Sequence, residues 1–119
     1  MHAEANLVET ETTMATYLVT YHEGPGMPSD PAAVQQMVAA FQAWVNEVGS
    51  AMRDPGAPLA AAKTISADGE ADGQQQASIG GYTTLEARDL DEAVDLVRGH
   101  PFLTRGGSLQ VSEAVNVGD

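Results

Sequence analysis

With 119 residues, 43% of them hydrophobic and none of them cysteine, the chain is one domain of ordinary apolar content, and disulfides, thiolate catalysis and zinc–thiolate sites are excluded. Seventeen acids against five bases give a net charge of −12, which repels phosphate backbones and anionic lipid, so neither nucleic acid nor a membrane surface is expected as a partner. No stretch is apolar for long enough to span a bilayer, and MHAEANLVETETTM lacks the basic and apolar regions of a secretory signal, so a cytoplasmic protein is expected.

Residues 1–14 are polar and acidic and read as a flexible extension, leaving 15–119 as the domain. Thr16 to His22 is a strand by composition, with Leu18, Thr20 and His22 on one face and Tyr17, Val19 and Tyr21 on the other. Both registers carry apolar side chains, so both faces are expected to be covered. A loop rich in Gly and Pro follows. Asp30-Pro31 then reads as an N-cap with proline at the first helical position. Val34, Met37, Val38, Phe41, Trp44, Val45 and Val48 recur at three and four, and Gly49 closes the helix. Ser50 to Ala57 reads as a short strand running into a turn at Asp54-Pro55-Gly56. Ala61 to Ser66 reads as another, with a turn at Ala67-Asp68-Gly69, and GEADGQQQAS as loop.

Gly80-Gly81 opens a strand running to Glu86. Asp89 with Glu92 three residues on forms a capping box, Leu90, Ala93, Val94 and Val97 make an apolar stripe, and Gly99 and Pro101 end the helix. Residues 100–105 form a helical turn, and Ser108 to Val115 alternates as the last strand. The order β-α-β-β-α-β is that of an α+β, ferredoxin-like fold: an antiparallel sheet with two helices on one face. A sheet from a second copy is the economical cover for the other face, which makes a homodimer the expected assembly.

With these residues placed, a resemblance emerges. Tyr17-Leu18-Val19 with Tyr21-His22-Glu23-Gly24, Trp44, the group Asp54, Gly56, Pro58 and Lys63-Thr64, and Asp68-Gly69 all contribute to it. So do Gly80-Gly81-Tyr82, Glu86-Ala87, Asp89-Leu90-Asp91-Glu92-Ala93, and Gly106-Gly107-Ser108 with Val111. Together they resemble the YCII-related family, which includes the DGPF-domain proteins, within the dimeric α+β barrel superfamily. The resemblance implies a dimeric barrel and lyase-, isomerase- or dehydrohalogenase-like chemistry without a cofactor. Two departures limit it. Asp68-Gly69 is followed by Glu70-Ala71 rather than completing DGPF, and residues 31–48 contain no histidine, where the family's better-known members carry one paired with an acid.

His22 is the leading candidate catalytic residue, an acid–base group at a strand end beside a Gly/Pro loop; its plainer reading is a strand-end histidine with only local hydrogen bonds. Asp54 is its candidate partner, or the initiator of its own turn. His100 either reaches a ligand pocket or sits as a cation at a helix C-terminus, the reading preferred here. Lys63 offers a cation to an anionic ligand, or guards a sheet edge. Trp44 and Tyr82 line an apolar ligand pocket or fill the core. Three scattered histidines give no metal-ligand spacing, and no phosphate-binding loop is present, so neither metal nor cofactor is expected. Three roles remain open: a cofactor-independent enzyme of proton transfer on a small organic molecule using His22 with Asp54, a non-catalytic small-molecule-binding or accessory dimer, and a purely structural dimer.

Overall fold

A computed structural model describes residues 14–24, 26, 28–74 and 78–115; apart from Met14, the expected N-terminal extension lies outside the described residues. The strands are β1 (Ala15–His22), β2 (Met52–Pro58), β3 (Lys63–Ser66), β4 (Gly69–Asp72), β5 (Gly81–Ala87) and β6 (Ser108–Ala114). The helices are α1 (Pro31–Val48), α2 (Leu90–Val97) and the single turn α3 (Pro101–Thr104). Four strands form one antiparallel sheet in the order β2-β5-β1-β6. This is the split βαβ topology of a ferredoxin-like α+β fold.

The helices start where short-range chemistry starts them. The Asp30 carboxylate accepts the Ala32 N–H at 3.4 Å and Pro31 follows. At α2, Asp89 Oδ1 accepts the Glu92 N–H at 2.8 Å, and Glu92 Oε1 reaches back to the Arg88 N–H at 2.7 Å, one residue upstream of the usual box partner. The Arg88 N–H, and then the Arg88 guanidinium, hold the Glu92 carboxyl below its ordinary range. Gly49, at φ +69°, ends α1.

The period-2 signal sorts the sheet into two faces. In register, Tyr17 sits opposite Leu85, Val19 opposite both Thr83 and Val111, and Tyr21 opposite Gly81 and Leu109. Tyr17, Val19, Leu85 and Ala87 are buried and form one core with Trp44 of α1 and with Ala93 and Val97 of α2. The opposite face carries Thr16, Leu18, Thr20, His22, Tyr82, Thr84, Gln110 and Ser112, and is richer in hydroxyls than the strand composition led us to expect. Among the described residues no helix is long and apolar enough to cross a membrane.

One segment departs from expectation. Gly69–Asp72, read as loop, pairs with Lys63–Ser66 as a hairpin outside the main sheet, with Ser66 opposite Gly69 and a two-residue turn between them. Ladder pairing uses backbone groups, so a polar run can form a strand provided it stays exposed. This one does: all four β4 residues are exposed, and Ile65 is 77% exposed. Met52–Pro58 is thus the edge strand of the main sheet, with its register on β5 shifted on both sides of Asp54.

Candidate functional site

The ends of β1, β2 and β5, the face of α1 and the turn α3 enclose a cavity of about 870 Å³, lined mainly by apolar atoms. That is the size of a small-molecule site. Glycines make room for its walls. At Gly56 (φ +80°) a side chain would overlap the Tyr82 carbonyl, so the β2 bulge closes on β5 only with glycine. Gly24 and Gly107 both abut the Phe102 ring, where a Cβ would collide with it.

Tyr21, Pro55 and His100 of the cavity lining are joined through the buried Thr83 by a hydrogen-bond chain whose direction is fixed from both ends. The Pro55 carbonyl can only accept, so the Thr83 hydroxyl donates to it at 2.8 Å. Thr83 Oγ1 therefore accepts from the Tyr21 hydroxyl at 2.7 Å, and Tyr21 Oη accepts from His100 Nε2 at 2.6 Å. At the other end, the Phe102 backbone N–H can only donate, and it donates to His100 Nδ1 at 3.0 Å. His100 is thus the Nε2–H tautomer, neutral, and 3% exposed. Burial, with help from the Arg105 charge, pushes its pKa down to about 4. Burial raises the Tyr21 pKa above its usual value. Both members of the pair therefore stay uncharged at neutral pH. His100 is not the helix-end cation preferred from the sequence: it caps the start of α3 with its ring nitrogen, and protonating Nδ1 would break that cap.

His22 lines the same cavity in a different setting. Its Nδ1 meets the Ser78 carbonyl at 2.9 Å and must carry hydrogen there. Its Nε2 meets the Thr20 hydroxyl at 2.8 Å, a partner that can either donate or accept. His22 can therefore hold one proton or two without losing either bond.

The remaining candidates fall into two groups. Tyr82 lines the cavity. Trp44 lies behind it, 2% exposed, its ring 4.3 Å from the His100 ring and its Nε1–H donated to the Leu96 carbonyl at 3.0 Å. Asp54 is exposed and outside the cavity lining; its carboxylate accepts the Gly56 N–H at 2.9 Å, the turn role. Lys63 sits on the hairpin with Glu70 at 3.5 Å and Asp72 at 3.3 Å, likewise outside the lining. His22, Tyr82 and His100 thus all line the cavity, His22 and Tyr82 from strand positions in the opposite register to Tyr21, and His100 from the Tyr21 side, whereas Asp54 and Lys63 lie outside the lining. Thr83 and Arg105 were not singled out by sequence. A threonine among the core-facing positions Gly81, Thr83, Leu85 and Ala87 is the signal that could have revealed the first. Among the described residues, no group of three or more His, Asp or Glu comes together to hold a metal ion.

No curated protein matches the chain. Among solved structures it is similar to a hydantoinase/carbamoylase family amidase from Burkholderia ambifaria, at 10% identity and a TM-score of 0.33. That overlay covers 87% of this chain and 28% of the amidase, and it is too loose to bear on activity. The YCII-related domain, by contrast, matches residues 14–114, from the start of β1 to the end of β6. The chain belongs to the YCII-related domain family.

Proposed function

We propose that this domain binds a small organic molecule in the His22–His100 cavity and moves a proton on it, without a cofactor, using His22 as the acid–base group. The contrast between the two histidines carries the reading. His100 has a donor-only partner on Nδ1 and is held neutral, so with Tyr21 it serves as a fixed polar wall. His22 has a carbonyl on Nδ1 and an ambivalent hydroxyl on Nε2, so its ring can change protonation state with Nδ1 still oriented, and Nε2 meets a bound molecule by exchanging its bond to Thr20 for one to that molecule. The Ser78 carbonyl supplies the orientation that a carboxylate supplies in many acid–base pairs, so the mechanism does not require Asp54.

The test is deuterium exchange in heavy water into the acidic C–H positions of a panel of small ketones, lactones and 2-oxo acids, followed by proton NMR. Exchange above the buffer rate is expected for at least one compound with the wild type and with Asp54→Asn, and its loss is expected in His22→Ala. Unchanged exchange in His22→Ala overturns the assignment. Binding without exchange would instead make the domain a non-catalytic binding module.

Homodimerisation through the open sheet face belongs to the same proposal. Leu18, in a central strand, is 38% exposed there, and the β3–β4 hairpin projects Ile65 into solvent, a poor arrangement for an isolated two-stranded ribbon. Sedimentation equilibrium of the wild type should give twice the chain mass; a monomer at micromolar concentration refutes it.

A further inference from the structure

We infer that the cavity selects carboxylates, with Arg105 as the recognition cation, so that its ligand is a small apolar organic acid. This rests on the proposed use of the cavity for binding and narrows the ligand's chemistry. In a chain with seventeen acids and five bases, a cation without a carboxylate is unusual. Arg53, Lys63, Arg88 and Arg98 each have one within salt-bridge distance; among the described residues Arg105 does not. Its Nε is buried with no hydrogen-bond partner among the described residues. Among the described residues its Nη1 donates only to the Met37 sulfur, at 3.3 Å, a weak acceptor. The guanidinium rests 5.4 Å from the centre of the Phe102 ring and lines the cavity.

A buried guanidinium N–H without an acceptor is costly, and a carboxylate answers its planar fork better than other common groups. The neighbourhood chooses carboxylate over phosphate. One cation balances one negative charge, the guanidinium rests against Met37 and Phe102, and the cavity is lined mainly by apolar atoms. Glu23, the carboxylate in the described lining, is exposed and accepts from the Ser108 hydroxyl at 3.4 Å. Tyr21 and Arg105 both lie against the one Phe102 ring, at 5.2 and 5.4 Å, so a molecule anchored by its carboxylate lays its apolar body on that ring beside the Tyr21–His100 chain.

The test uses phenylacetate and its neutral near-isostere phenylacetamide, titrated calorimetrically into the wild type and Arg105→Gln. Phenylacetate should bind the wild type about 10-fold or more tighter than the amide, as for a charge-assisted bond. In Arg105→Gln the gap should vanish while the amide's affinity holds. Equal binding of the two probes by the wild type leaves the cavity reading standing and overturns carboxylate selection. Binding of neither overturns both. Equal loss of both probes in Arg105→Gln would mean that the arginine only shapes the cavity, and also overturns the inference.

Discussion

Acid should destabilise this domain through His100 in a way that one substitution can isolate. The unfolded imidazole takes a proton near 6.5, whereas the folded one resists protonation down to about 4. Above 6.5 both states are neutral and the group has no pH effect. Between 6.5 and about 4 the unfolded state binds the extra proton, so stability falls as pH falls, and below about 4 the loss levels off. The interval corresponds to roughly 3 kcal/mol, which screening by water in the cavity reduces to about 2 kcal/mol. Many carboxylates titrate in the same window, so the informative quantity is a difference. Urea unfolding of the wild type and His100→Gln at about pH 7 and about pH 4 cancels the shared groups. The variant should be less stable at neutral pH, because the Tyr21 oxygen loses its donor and the Phe102 N–H its acceptor, and the gap should narrow by about 2 kcal/mol in acid. A gap that does not change with pH refutes the neutral, buried assignment. So does an NMR titration of the His100 ring with a midpoint near 6.5.

Four further substitutions, at three positions, probe the cavity wall and the packing behind it. Thr83→Val should cost about 1–3 kcal/mol in urea unfolding by taking away the acceptor of the Tyr21 O–H and the hydroxyl donated to the Pro55 carbonyl, whereas Thr83→Ser, which keeps the hydroxyl, should cost about 1 kcal/mol or less. Equal losses in the two variants would refute the directed chain. Gly56→Ala forces a side chain into the Tyr82 carbonyl at φ +80° and should cost roughly 2 kcal/mol or more, with hydrogen exchange accelerated first in β2; protection unchanged along β2 would refute it. Trp44→Phe strands the Leu96 carbonyl and thins the packing behind His100, for a loss of about 1–3 kcal/mol in thermal or urea unfolding; wild-type stability would count against the structural role given to Trp44.

What the sequence by itself determined is the set of elements whose signals act over a few residues. Asp30-Pro31 and the Asp89/Glu92 pair start α1 and α2 through bonds spanning two to four positions. Gly80-Gly81 and the run of β-branched, aromatic and aliphatic residues after it mark β5, and the order of strands and helices indicates an antiparallel ferredoxin-like sheet. That Lys63–Ser66 leaves that sheet for a separate hairpin is, by contrast, a tertiary outcome. Where two local readings competed, sequence could not choose. Asp54 could orient a histidine or bond its own turn, and the bond two residues away won because it needs no other segment in place. His100 could close α2 or open α3; burial, the Phe102 N–H and the Tyr21 hydroxyl decided for the second. The cavity is entirely a product of tertiary structure. His100 meets Tyr21 across 79 residues, Tyr21 meets Thr83 across 62, His22 meets Ser78 across 56 and Arg105 meets Met37 across 68. Periodicity and caps report what a residue does within about one helical turn or one strand pair. The protonation state of His100 and the absence, among the described residues, of a carboxylate beside Arg105 depend on which distant segments arrive next to them, and the packing of α1 and α3 against the sheet sets that together with strand register.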